Sequence, residues 1–397
     1  MTAGKIRVLL FSTLFPSAAR PNHGLFVETR LRELLKTDNV DVRVVAPVPW
    51  FFSANAAFGE YAKFASTPKS ETREGVSIVH PRYFLPPRIG MTIAPLLLAL
   101  GAIPGIRRLR NEGFDFDLID AHYYYPDGVA AALLAAWFSR PFVVTARGSD
   151  ITLIPRFHIP RKWILWAAGR ARASITVCKA LADELQNLGA EPAKIKVLRN
   201  GVDLTKFHPV PRDQARAALG WSSDPYLLSV GNLVDNKGHH LIIEALLKLP
   251  AFKLVIVGAG PNRSSLGELA RKLGLEERVH FAGVVPQPEL ARYYSAADIS
   301  VLASEREGWA NVLLESMACG TPVVATRIWG TPEVVASREA GRLTTERSAQ
   351  AIAAAINELI ADYPDRDRVR QYAAGFGWDS TSAGQLRLFR DIRQVET

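Results

Sequence analysis

Two glutamates at i and i+8, Glu307 and Glu315 in SEREGWANVLLESMACGTP, bracket a run of mostly neutral residues. Paired carboxylates suggest general acid and base work. On one helix this spacing would set them roughly 12 Å apart along the axis. Retaining hydrolases hold their carboxyls about 5–5.5 Å apart and inverting ones about 6.5–9.5 Å. The spacing therefore argues against a hydrolytic dyad, and the neighbouring residues offer another use. Gly320 and Pro322 stop a short helix running from about Trp309 to Cys319. Its first N–H groups lack internal partners and carry the positive end of the helix, which makes a seat for phosphate. Gly308 lets a ligand approach the backbone closely. Glu307 then ends the strand DISVLAS and Glu315 sits one or two turns into the helix. The plainer alternative is a pair of solvated surface acids.

Other stretches carry chemistry of the same kind. GNLVDNKG puts Lys237 at a strand-to-helix turn, where an ammonium neutralises phosphate. PNHGLFVETR places His23 and Gly24 at a helix start that could admit a phosphate or a sugar. HYYYPDG, with His122, and TARGSD, with Arg147 and Asp150, end two further strands, although Asp150 would equally serve as a buried helix cap. VIVGAGPNRSS invites a dinucleotide reading, but Arg263 stands where the third glycine belongs, so a plain glycine turn is the better account. The Asp-x-Asp at 115–117 precedes its strand, away from the binding end, and no metal is expected there or elsewhere.

These residues need a scaffold. Short β-branched runs alternate with helical patterns throughout the 397 residues, which predicts an α/β chain of parallel sheets covered by helices. Two complete α/β series meet at the Pro-, Gly- and Asn-rich stretch 199–212, giving two Rossmann-like halves facing across a cleft. The expected domains are 1–203, 204–375 and a tail, 376–397.

Two cysteines rule out a disulfide framework, and the start MTAGKIRVLLF runs almost directly into a strand, so a cytoplasmic, reduced chain without a signal peptide is expected. The apolar segment 91–106 is interrupted by Pro95 and Pro104 and falls short of a membrane span. Residues 1–205 hold 26 Lys/Arg against 17 Asp/Glu, whereas the rest is balanced at 22 of each. The whole excess lies in the first half and predicts an anionic partner there, a membrane surface or a phosphorylated acceptor. The basic and aromatic run 156–172, and the apolar segment ending at Arg110, suit the inner face of a membrane, with core helices as the alternative. No RNA motif or zinc pattern points to nucleic acid.

With these residues in view, the chain resembles glycosyltransferase family 4, retaining sugar-nucleotide enzymes of the GT-B fold. EGWANVLLESMACGTPVVATRIWGTPEVV carries the strongest match, followed by KIKVLRNGVDLTKFHP, VGNLVDNKGHHLIIEAL and VHFAGVVPQPELARYYSAADISVLAS. In the first half, PNHGLFVETRLREL and TARGSD look like members that build polysaccharides on membrane-bound acceptors. The resemblance implies that Lys237 binds the donor pyrophosphate, Glu307 the sugar hydroxyls and Glu315 the ribose. Backbone N–H groups of Gly308, Trp309, Ala310, Asn311 and Val312 would hold sugar and phosphate. Val284 and Val285 would pack the nucleobase, and Gly24 would lie near the diphosphate. The tail resembles a helix crossing back to the first domain.

Two positions depart from the pattern. Asn232 stands where the family often has an arginine, and Arg147 stands where its H-G-x-D segment has a histidine. An arginine cannot act as a base at neutral pH but can bind phosphate or orient an acceptor. The function implied is transfer of a hexose-type sugar from a UDP or GDP sugar to a lipid-linked or polysaccharide acceptor. A nucleotide-sugar 2-epimerase and a non-catalytic bilobal binding module are the alternatives.

Overall fold

A computed structural model describes residues 4–86 and 90–396; the chain start at 1–3, on which the expected lack of a signal peptide leans, lies outside the described residues. Residues up to Arg199, together with the C-terminal helix Asp379–Glu396, form one compact unit, and Asn200–Trp378 form the other. The alternation of apolar strands and helices produces a parallel sheet in each.

The strands of the first unit are β1 (Ile6–Phe11), β2 (Val40–Val45), β3 (Val48–Pro49), β4 (Ser70–Arg73), β5 (Val76–Val79), β6 (Arg82–Tyr83), β7 (Leu118–His122), β8 (Phe142–Ala146), β9 (Ala173–Thr176) and β10 (Ile195–Val197). Eight of them make one sheet in the order β10-β9-β8-β7-β1-β2-β5-β4, while β3 and β6 pair separately. Only the edge strand β4 runs antiparallel in the large sheet. Val8, Leu10, Val42, Val44 and Leu118 are buried against Val27, Leu31 and Leu34 of the helix Leu25–Leu35 and against Phe389 and Ile392 of the C-terminal helix. Burying each such side chain contributes about 1.5–3 kcal/mol, which is what holds the last helix on this unit.

The second unit contains β11 (Tyr226–Val230), β12 (Lys253–Val257), β13 (Val279–Gly283), β14 (Ile299–Leu302), β15 (Val323–Thr326) and β16 (Gly341–Thr344). Their order, β13-β12-β11-β14-β15-β16, is parallel throughout. Each sheet reverses its direction of growth once, between β1 and β7 in the first unit and between β11 and β14 in the second. Helices at a reversal leave by opposite faces, which opens a crevice at the carboxyl ends of the two strands, where open α/β sheets bind ligands.

One expectation is overturned. Pro95 and Pro104 do not interrupt the apolar segment, which forms a continuous helix, Gly90–Asn111. Gly101 and Gly105 lay this helix against Arg82, Tyr83 and Pro81, and that packing offsets the lost backbone hydrogen bonds. By length and composition Thr92–Asn111 could cross a membrane. Its Leu98, Ala102 and Ile106 are buried, so one face of the helix packs within this unit.

Candidate functional site

In the second unit, the loops that follow β11 and β14 carry the predicted donor residues. After β11 the chain makes a 3-10 turn, Asp235–Lys237, then Gly238 caps the helix His239–Ala245. After β14 it passes through Ser304 and Glu307 into the helix Asn311–Ala318, two residues shorter at its start than the spacing predicts. The two loops are stitched together: Glu305 N–H donates to Asn236 O at 2.8 Å, and Asn236 Nδ2 to Arg306 O at 3.3 Å. Lys237 and Glu307 meet there as an ion pair. Ser304 Oγ donates to the same carboxylate oxygen at 2.7 Å, fixing its orientation. His239, buried behind the turn, spans Ser229 Oγ at 3.0 Å and Asn232 O at 3.2 Å, and burial lowers its pKa to about 4. A neutral imidazole there adds no charge next to Lys237.

The helix start departs from its expected set of donors in one respect. Asn311 N–H turns back to Trp309 O at 3.0 Å, and its side chain accepts from Asn200 Nδ2 at 3.3 Å. Asn311 thus braces the turn, while Gly308, Trp309 and Ala310 are buried at the mouth of the helix with Val312 half-buried beside them. Glu315 is half-buried, accepts from Tyr294 Oη at 2.9 Å, and is raised by burial to about 7. An anchored carboxylate suits hydroxyl binding better than proton shuttling. Val284 is exposed and Val285 half-buried just beyond the edge strand β13, and Asn232 is exposed after β11.

The first unit gathers its own set at the reversal between β1 and β7. Thr13, just past β1, donates to Asp127 through N–H at 2.5 Å and Oγ1 at 3.0 Å. Burial lifts Asp127 to about 7. His23 Nε2 donates to Thr13 O at 3.1 Å, and burial lowers its pKa. Gly24 caps the helix Leu25–Leu35 directly against the Leu14 carbonyl.

Two sequence expectations change here. Asp150 is fully buried and accepts from the N–H groups of Tyr124 at 2.8 Å, Arg147 at 3.0 Å and Gly148 at 2.7 Å, so it shapes the loop and has no oxygen turned to a ligand. His122 is 1% exposed, with one ring nitrogen on Asp120 and the other on Arg147, so it cannot contact substrate. Arg147 itself remains half-buried, with burial and Arg30 lowering it to about 9, and it is cationic at neutral pH.

Sequence reasoning missed Thr13, Asp120, Asp127, Ser304, Tyr294 and Gln385. Asp120 was detectable, because strand alternation puts it on the same face as His122. The others depend on contacts between distant segments. Asp115 is ion-paired to Arg110 and Arg140, and Asp117 accepts from Arg7 N–H at 2.8 Å, so the Asp-x-Asp is occupied by the protein itself. Among the described residues no cluster of three or more His, Cys, Asp or Glu could hold a metal ion.

Comparison with known proteins gives the family and the fold. Residues 211–376 match the family model "Glycosyl transferases group 1", and residues 29–206 match "Glycosyltransferase Family 4". The chain is 31% identical to the "Putative teichuronic acid biosynthesis glycosyltransferase TuaC" of Bacillus subtilis, over 88% of this chain and 88% of that protein. Among solved structures, a sucrose-phosphate synthase from Thermosynechococcus elongatus superposes with a TM-score of 0.82 at 20% identity, covering 98% of this chain and 100% of that one. HepE of Anabaena, in complex with UDP, gives a TM-score of 0.71 at 22% identity, with 98% and 100% covered. These likenesses establish the GT-B type of fold.

Proposed function

This chain belongs to the glycosyltransferase family, and from that premise we propose that it moves a hexose-type sugar from a nucleoside diphosphate sugar to a lipid-linked or polysaccharide acceptor of the cell envelope, with retention. The observation that carries the proposal is the Lys237–Glu307 pair at the β11/β14 reversal, set beside the start of the helix Asn311–Ala318. A cation, a sugar-hydroxyl acceptor and a helix N-terminus converge where a sugar diphosphate would lie. In the reaction the C1–O bond to the diphosphate breaks and negative charge builds on the departing phosphate. Lys237 and the helix start stabilise that charge. The acceptor hydroxyl attacks from the same face, and its proton passes to a departing phosphate oxygen. Glu307 holds the sugar, Glu315 the ribose, and Val284 and Val285 flank the base. Arg147 offers the first unit's cation to an acceptor or phosphate group. The UDP held by HepE and the teichuronic acid biosynthesis named for TuaC support this choice of donor and acceptor.

A thermal-shift series of nucleoside diphosphates tests the donor. Ligand at a hundredfold excess over Kd is expected to add about 2.7 kcal/mol of stability, several degrees in Tm. UDP or GDP is expected to give the shift; no shift with any nucleoside diphosphate would sink the proposal.

The same reading assigns an anionic membrane surface to the first unit. Leu96 and Leu100 are exposed on the helix Gly90–Asn111 together with Arg107 and Arg108, and Phe157 and Ile159 are exposed at the start of the helix His158–Arg170 together with Arg156, Arg161 and Lys162. Apolar side chains edged by cations fit the boundary between headgroups and acyl chains. Flotation with vesicles containing anionic lipid is expected, and it should fall as salt rises. Equal flotation with purely zwitterionic vesicles would count against the surface.

A further inference from the structure

We propose that His122 is a positioning residue that aims Arg147, with Asp120 and Gln385 holding it in the one tautomer that permits this. The inference rests on the transfer reading above for its catalytic consequence, but not for its geometry.

Asp120 and His122 share one face of β7 and are 2% and 1% exposed. His122 Nε2 lies 3.3 Å from Asp120 Oδ2, and an Arg147 Nη contacts His122 Nδ1. A guanidinium only donates, so Nδ1 must be the bare nitrogen and the ring proton must sit on Nε2, facing Asp120. The opposite tautomer would set two donors against each other, and an imidazolium would place a second cation against the first.

The chain of contacts continues inward. Gln385 Nε2, from the C-terminal helix, donates to Asp120 Oδ2 at 2.8 Å. Gln385 Oε1 accepts from Arg30 Nε at 2.8 Å, and Arg30 Nη1 donates to Leu198 O at 3.0 Å. Each link from Arg30 to Arg147 pairs a donor with an acceptor, and at Asp120 both contacts fall on Oδ2, while Oδ1 is buried without a hydrogen-bond partner. Burial is also the main reason His122 is pushed down to about 4, so it stays a neutral acceptor at pH 7. On its other side the Arg147 guanidinium lies over the Phe26 ring, 5.3 Å from its centroid. A long, flexible cation is thus held from two directions. An arginine replacing a shorter side chain needs such support if its charge is to stay where an anion or acceptor must find it.

Nitrogen-15 NMR of the wild-type chain tests the geometry. His122 is expected as the neutral Nε2–H tautomer at pH 7, and rotation of the Arg147 guanidinium is expected to be slow, becoming faster in Gln385→Ala. An Nδ1–H tautomer, an imidazolium, or a freely rotating Arg147 in the wild type would overturn the proposal.

Kinetics test the consequence. His122→Phe is expected to lower kcat by about 10- to 100-fold with donor KM little changed, because the cation is misplaced and not removed. Arg147→Ala should cost as much, and the double variant no more than Arg147→Ala alone. Losses that multiply, or a His122→Phe enzyme with wild-type kcat, would also overturn it. Wild-type protein that transfers no sugar would refute the reaction instead and leave the NMR result to be judged on its own.

Discussion

Lys237→Ala is expected to lower sugar transfer by about 100- to 1,000-fold and to weaken nucleoside diphosphate binding at the same time. Two effects combine. The variant removes the cation that faces the leaving phosphate, and it strips Glu307 of its ion-pair partner. The orphaned carboxylate, still fixed by Ser304 Oγ at 2.7 Å, then opposes the incoming diphosphate as a like charge. Glu307→Gln should behave differently. Lys237 is released from its pair, so diphosphate binding is kept or strengthened while transfer is lost with the sugar contact. The double variant Lys237→Ala/Glu307→Gln supplies the discriminating comparison. It should bind nucleoside diphosphate more tightly than Lys237→Ala, since the repelling charge has gone, yet remain equally poor in transfer. Calorimetric Kd values for UDP and GDP, with initial rates from the matching donors, measure both halves. If Lys237→Ala binds diphosphate like the wild type, Lys237 does not hold phosphate. If the double variant binds no better than Lys237→Ala, the two side chains are not coupled through the ligand.

What could be read in advance follows from which contacts are local. Runs such as Tyr226–Val230 and Lys253–Val257 alternate with helical patterns, and that was enough for parallel sheets. The same local logic disposed of a dinucleotide site. Gly258 and Gly260 lie against the backbone of Gly231 and Leu233, and Arg263 covers the Phe281 ring at 3.8 Å, so that turn is filled by protein. Strand order is another matter. That β11 neighbours β14 comes from pairing segments some seventy residues apart, and it is this pairing that brings Lys237 to Glu307. The link from Gln385 to Asp120 spans 265 positions, and no spacing rule reaches so far. Even near at hand, chemistry hid in packing. Asp150, at a strand end, could be read as a ligand contact or as a buried cap. Its oxygens are taken up by main-chain N–H groups that fold back only because Gly148 and Tyr124 are brought together in space.

The second large effect is expected from a residue with no functional group. Gly238 has a φ of 67° and a backbone packed so closely under β14 that an added Cβ would lie 2.2 Å from Ala303 O. Left-handed backbone alone costs a non-glycine residue about 1–3 kcal/mol. The overlap adds a displacement that must be taken up by one of two loops. Either the turn carrying Lys237 retreats, or the segment from Ala303 to Glu307 does. Both pull the ion pair apart, and a shift on the order of 1 Å at a reacting centre can cost about 100-fold in rate. Gly238→Ala should therefore lose more activity than its fall in Tm explains. Gly220 is the natural control. It has nearly the same φ, 68°, at the end of the helix Arg212–Leu219, but an added Cβ meets no atom within 4 Å. Gly220→Ala carries the backbone strain without the collision, so it should lower Tm while leaving kcat and diphosphate Kd unchanged. Equal kinetic losses in the two variants would mean that backbone strain anywhere in this unit disables the enzyme. Loss in Gly238→Ala alone ties activity to the distance between the two loops. That distance is set by the absence of a single methyl group.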